Sequence, residues 1–232
     1  MNIFCVISAL ANDYGAFDYE TRLRQLNSSI DGIKEKLPED QIWLYDASNY
    51  DIDESDLLAL SSKVDRIKLL KTHPEILAQH RRQTSDPNFT GKKTVGELFA
   101  FLTFLHDLRD SKLVFDRAFK LAGRWQLTSD FDPSQHLLAK NHAVFRTREY
   151  WGHEPIYRIR LWSFDFNLLP LICDVFELIE KYTLDQIYVR NKIPILECTI
   201  HKYFTDYNVP VQQLEMLGVN GYFGQNASFF TE

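Results

Sequence analysis

Cysteine is scarce in this chain. Cys5, Cys173 and Cys198 are odd in number and far apart, so the sequence carries neither a disulfide framework nor the spacing of a zinc site. That usage fits a reducing compartment. Positive charge is not in excess: 26 Lys and Arg stand against 32 Asp and Glu, a net charge of −6, whereas a general nucleic-acid binder needs a basic face to neutralise phosphates. A local basic pocket is still compatible with that balance. Long apolar runs are missing as well. The opening IFCVISALA lacks a preceding basic segment, gives way at once to Asn12 and Asp13, and is too short to span a bilayer. It reads as a buried first strand. No other segment approaches transmembrane length and no repeat or low-complexity tract stands out, so the expectation is a soluble, cytoplasmic protein.

What the chain does have is apolar material. Its 232 residues are 45% hydrophobic and 14% aromatic, enough to bury a substantial core as one compact domain. Strands are expected at 3–8, 42–45, 66–70 and 115–121. Leu23, Leu26, Ile30, Ile33 and Leu37 recur at helical spacing and predict an amphipathic helix over 19–36. Shorter helices are expected at 53–61 and from Pro74 to about residue 82, with proline suited to a first helical turn. Residues 83–93 read as loop. Thr94 and Glu97 have the spacing of a capping box before a helix to about residue 110, apolar round most of its circumference and therefore buried. Later come expected strands at 142–148 and 157–166, helices at 168–182 and 195–204, and an extended segment at 211–219.

This alternation predicts an α/β fold with a mostly parallel central sheet and helices on both faces. Ligands of such sheets bind beyond the carboxyl ends of the strands. The rule selects Ser8, Ala9 and Leu10 after the first strand, Asp46, Ser48 and Asn49 after the second, residues 71–73 after the third, and Gly123, Arg124 and Trp125 after the fourth.

The motifs ISAL, YDASN, KTVGE, FKLAGRW and LWSFD, taken together over about residues 1–200, resemble a group of small glycosyltransferase-like proteins of bacteria and large viruses. These have the Rossmann-like GT-A fold of nucleotide-diphospho-sugar transferases. The resemblance implies transfer of a sugar from a nucleotide-diphospho-sugar donor to a glycan or lipid-linked acceptor. Residues 1–125 would form the nucleotide-sugar-binding half, and 126–232 the acceptor-side half and tail. Members of that fold usually end the fourth strand in Asp-x-Asp, two carboxylates that hold Mn or Mg against the diphosphate. Here the equivalent place reads Gly123-Arg124-Trp125. Arg124 can neutralise phosphate directly, Gly123 permits close backbone approach and Trp125 offers a flat surface. Metal-dependent and metal-independent activity both stay open. The literal Asp130-Phe131-Asp132 lies several residues further on and is the weak metal candidate, against a solvated loop or helix cap.

Lys93, Gly96 and Glu97 can border a donor pocket at a helix N-terminus, or Thr94 and Glu97 can simply cap that helix. Lys120 can face phosphate or snorkel from its strand. Arg146 with Arg148, and Arg158 with Arg160, fall on shared strand faces, so paired strands would form a basic patch for an acidic acceptor or a diphosphate; pairing with Glu149 or Glu154 is the plainer alternative. Asp165 and Glu197 are the candidate general bases for the acceptor hydroxyl, with Glu197 and His201 also at i,i+4 spacing. Two other functions compete: a sugar-phosphate nucleotidyltransferase, disfavoured by the lack of a glycine-rich basic loop after the first strand, and a non-catalytic carbohydrate-binding or assembly protein.

Overall fold

The computed structural model describes residues 1–12, 16–85, 92–147, 149–222 and 229–232. The first half alternates β1 (Ile3–Ser8), α1 (Tyr19–Lys36), β2 (Gln41–Asp46), α2 (Glu54–Ser61), β3 (Arg66–Leu69), α3 (Pro74–Ser85), α4 (Lys92–Ser111) and β4 (Arg117–Ala122). The second half adds β5 (Trp125–Leu127), α5 (Pro133–Leu138), β6 (Ala143–Arg146), the small hairpin β7 (Glu149–Trp151) and β8 (Glu154–Ile156), then β9 (Leu161–Asp165), α6 (Leu169–Tyr188), α7 (Leu196–Asp206), β10 (Val211–Leu214), β11 (Val219–Tyr222) and β12 (Phe229–Thr231).

Seven strands form the central sheet in the order β10-β6-β9-β4-β1-β2-β3. All pairs are parallel except those of β9, which runs antiparallel to β4 and β6. The unbroken apolar run of β1 follows from burial on both faces. Ile3, Cys5 and Ile7 pack among residues of α4, α6 and α7, while Phe4 and Val6 pack against Leu26, Ile30 and Ile33 of α1. Asp18 starts α1 by accepting the amide of Thr21 at 2.8 Å, which meets one of the first-turn donors. No helix among the described residues is long and apolar enough to cross a membrane.

Several expectations are corrected. Helix α4 begins at Lys92, two residues before Thr94, so Thr94 and Glu97 do not form its capping box; Glu97 turns to Lys120 instead. The expected loop over 83–93 is partly helix, since α3 runs to Ser85 and α4 takes Lys92 and Lys93, and 86–91 lie outside the described residues. The segment 157–160 is not strand; β9 starts only at Leu161.

The lower, amino-terminal end of β4 holds a buried polar knot. Arg117 donates to Ser163 Oγ at 2.9 Å and to the carbonyls of His142 and Ala139 at 3.2 and 2.5 Å. His136 Nδ1 lies 2.8 Å from the same Ser163 Oγ, and its ring sits between Phe119 and Phe131. Because Ser163 Oγ accepts from Arg117, its own hydrogen points to Nδ1 and keeps that nitrogen unprotonated. Burial, reinforced by the Arg117 charge, pulls the His136 pKa down to about 3.

Between the ordinary histidine value of 6.5 and about 3 the unfolded chain binds a proton that the native chain refuses, so this contribution is intact above that window and is lost as pH falls through it. At pH 5 it should have cost about 2 kcal/mol relative to pH 7. Urea unfolding of the wild type and His136→Gln at the two pH values checks this: the wild type should lose more stability on acidification than the variant by about that amount.

Candidate active site

The chain crosses from one side of the sheet to the other between β1 and β4, since β2 and β3 lie to one side and β9 and β6 to the other. The crevice beyond the carboxyl ends of β1, β2 and β4 is therefore the expected ligand position. Its floor is closely tied. Asp46, 1% exposed, accepts from Ser8 Oγ at 2.5 Å and the Leu10 amide at 3.1 Å through Oδ2, and from the Ser48 amide at 2.9 Å through Oδ1. Ser48 Oγ accepts the Ala11 amide, the Asn49 amide donates to Asn12 Oδ1 and the Ala11 carbonyl, and Arg22 Nη1 donates to the Ala9 carbonyl. Ser8, Asp46 and Asn49 thus hold the two loops against each other. Asp46 is committed to this lock and makes the polar turn that closes the end of β2.

At the end of β4 the Gly123 amide donates to the Ile7 carbonyl at 2.8 Å. A Cβ on Gly123 would stand 3.1 Å from that oxygen, 3.2 Å from Leu26 Cδ1 and 3.3 Å from Ser8 Cβ, so glycine here lets the two strand ends meet. Gly96 serves similarly in α4, where a Cβ would sit 3.3 Å from Ala47 Cβ. Trp125 is only 2% exposed. Its outer face is covered by the Arg160 guanidinium, 4.3 Å from the ring centroid.

Arg160 belongs to a cluster the sequence hinted at in part. The Ala122 amide donates to the Arg160 carbonyl at 2.8 Å, which fixes Arg160 at the carboxyl end of β4. Arg146, the last residue of β6, lies on the same edge. Glu149 joins Arg146 at 3.0 Å and Arg158 at 2.7 Å, and Glu232 Oε1 bonds Arg160 and lies 3.5 Å from Arg146. Arg148 lies outside the described residues. The arginines therefore gather through Glu149 and Glu232 rather than by alternation on two paired strands. Burial pulls the Arg160 guanidinium below its ordinary range against the opposing pull of Glu232. Beneath the cluster, the buried Lys120 ammonium bonds Glu97 and the Ile159 carbonyl. It neither snorkels nor faces solvent.

No protein-family model matches the sequence, and no curated protein matches it. Likeness appears in three dimensions. The galactosyltransferase LgtC, solved with donor and acceptor sugar analogues, superposes with a TM-score of 0.52 over 97% of this chain and 87% of its own, at 10% identity. The glycosyltransferase GlyE of Streptococcus pneumoniae TIGR4 gives 0.52 over 91% of this chain and 45% of its own, at 11% identity. A glycosyltransferase involved in glycosylation of the major capsid of PBCV-1 gives 0.47 over 93% and 82%, at 10% identity. The fold is the GT-A fold.

In this GT-A sheet Asp130, Asp132 and Asp165 do not reach the carboxyl ends of β1 and β4. Asp132 caps α5, accepting from the Ser134 amide at 2.9 Å and its hydroxyl at 2.6 Å, and those bonds hold its carboxyl below the usual range. Phe131 packs on Phe119 in mid-sheet, which carries Asp130 and Asp132 down the flank and away from the strand ends. Among the described residues no group of three or more His, Cys, Asp or Glu side chains could hold a metal ion, and β4 is followed by Gly123, Arg124 and the buried Trp125. These residues do not fit a divalent cation there. Asp165 is likewise misplaced as a base: it pairs with Arg117 in register, at the opposite end of β4, and accepts the Asn167 amide. Glu197 stands in the first turn of α7, close enough to Arg160 to oppose the lowering of its pKa by burial, while His201 packs on Tyr157. The Lys93 side chain lies outside the described residues. Glu232 went unnoticed in the sequence because only the pairing of β12 with β11, and of β11 with β5, brings it here.

Asp46→Ala should strand buried amides and lower stability by about 2–4 kcal/mol in urea unfolding. A loss below about 0.5 kcal/mol would mean that Asp46 is not the lock described.

Proposed function

We propose that this chain is a glycosyltransferase that moves a sugar from a nucleotide-diphospho-sugar donor to a glycan or lipid-linked acceptor. The observation that carries the reading is the GT-A sheet, whose strand order turns between β1 and β4, with arginines at the end of β4 where carboxylates would be expected. In such a transfer the bond between the anomeric carbon and the donor phosphate breaks, a bond to the acceptor oxygen forms, and the nucleoside diphosphate leaves with added negative charge. Fixed cations aimed at that charge stabilise the transition state.

Arg124 and Arg160 take that role in our reading, in place of Mn or Mg, and Gly123 and the Ser8–Leu10 loop shape the floor. Guanidinium presents two parallel donors to phosphate. Glu197 is the carboxylate we assign to receive the acceptor proton, since it stands in the first turn of α7 within electrostatic reach of Arg160. Residues 1–125 supply the donor floor, while 126–232 supply Arg146, Arg158, Arg160, Glu197 and the acceptor side. A cytoplasmic setting suits Cys5, Cys173 and Cys198, all free thiols. A non-catalytic carbohydrate-binding protein is the second reading, favoured by the occupation of the arginine cluster by Glu232; donor-dependent transfer separates the two.

A thermal-shift screen of nucleotide sugars tests the donor reading. At hundredfold excess over Kd, the cognate donor should raise Tm by about 5–10 °C. That rise should survive EDTA; stabilisation that requires Mn or Mg overturns the arginine assignment. Arg124→Ala should weaken donor binding about tenfold or more, and Arg124→Lys less, with circular dichroism confirming the fold. Wild-type affinity in both variants would remove Arg124 from the site.

A further inference from the structure

Under the function proposed above, the donor diphosphate lies at the end of β4, and a carboxylate already stands there. Glu232, directly after β12, reaches between Arg160 and Arg146 and is 3% exposed. Arg160 is stacked between Trp125, at 4.3 Å, and Phe230 of β12, at 5.4 Å. We propose that Arg146, Arg158 and Arg160 form a seat for a phosphate-class anion, that the Glu232 side chain is its internal occupant, and that an incoming diphosphate displaces Glu232 together with β12. This deepens the donor-site reading and rests on it.

Three observations support exchange rather than permanent closure. The first is chemical likeness: guanidinium groups take carboxylate and phosphate oxygens in the same forked geometry, and a diphosphate brings more charge and more acceptor oxygens to the same donors. The second is imperfect satisfaction of the occupant. Glu232 Oε2 is buried and has no hydrogen-bond partner among the described residues, which costs free energy that a better-matched anion recovers. Burial accordingly pushes the Glu232 carboxyl above its ordinary range, against the opposing pull of Arg160 and Arg146. The third is the light tether. β12 has three residues, all exposed, with Phe229 and Phe230 at 54% and 41%. It is held by its ladder to β11 and by reciprocal backbone bonds between Glu232 and Val219 at 2.8 and 2.7 Å. Short, exposed elements of this kind open at low free energy.

Glu149 and Glu232 offset two of the three guanidinium charges. Glu149 stays between Arg146 and Arg158, so Arg160 is the guanidinium whose principal carboxylate leaves with β12. Its release exposes a cation resting on Trp125 at the strand end where charge develops.

Inorganic pyrophosphate is the probe, titrated by calorimetry into the full chain and into Glu232→Gln. The variant should bind it about tenfold tighter or more, because the competing internal charge is gone. In the wild type, saturating pyrophosphate should speed hydrogen exchange at the amides of β11 and β12 while leaving those of β1 and β4 unchanged. Arg160→Ala should lose pyrophosphate affinity. Equal affinities in the wild type and Glu232→Gln, undiminished affinity in Arg160→Ala, or β12 amides that stay protected with pyrophosphate bound overturn the proposal. Should Glu232→Gln fail to fold, the exchange measurement on the wild type decides alone. Sugar transfer is read separately: a chain that exchanges Glu232 for pyrophosphate but transfers no sugar keeps the seat and loses the glycosyltransferase reading, and a chain that transfers sugar with β12 still protected does the reverse.

Discussion

The Lys120 ammonium joins three parts of the chain that are distant in sequence. It projects from β4, bonds Glu97 in α4 and the Ile159 carbonyl in the segment before β9, and is buried. Taking such a charge out of water costs several kcal/mol unless a counter-charge and further acceptors meet it, so α4 and the 157–160 segment are held where they can supply both. That segment carries Arg158 and Arg160. The position of the guanidinium groups at the strand ends therefore depends on this ion pair.

A second constraint is the contact between the ends of β1 and β4. It needs glycine at 123, since a side chain would press on Ile7, Leu26 and Ser8. The Asp46 lock then ties the β1 loop to the β2 loop. A preorganised floor of this kind spends its polar groups on itself, and the remaining charge at the strand ends lies on the other wall. On that wall the arginines share their charge with Glu149 and Glu232. Guanidinium groups half-withdrawn from water make stronger electrostatic contacts than exposed ones, but each needs a partner while it waits. The carboxylates fill that need.

Much of the fold was legible in the sequence. β1 and α1 have the expected boundaries, because a continuous apolar run and a 3.6-residue period each report burial that local sequence carries. The end of β4 was legible too, as a glycine-arginine-tryptophan string after an apolar strand. The arginine patch was half legible: its members and their partner Glu149 were named, but Glu232, which comes from β12, was not. Asp165 looked suited to catalysis by its apolar neighbours, yet β9 runs antiparallel to β4 and delivers it to the wrong end of the sheet. Strand direction is a property of the assembled sheet and leaves no mark on the five residues LWSFD.

The sequence by itself determined that the chain alternates strands and helices, that both faces of the central strands are buried, and that the fourth strand ends without paired carboxylates. These follow from period, composition and residue identity, all local quantities. Tertiary structure alone decided which polar residues became scaffold and which faced the crevice. Asp46, Lys120 and Arg117 are buried and committed to bonds, Asp132 is spent on a helix cap, and Glu232 sits among arginines 72 to 86 positions away. The reason is electrostatic: a charged side chain is drawn to whichever counter-charge shares its desolvated space, and that neighbour is chosen by packing across the sheet, not by spacing along the chain.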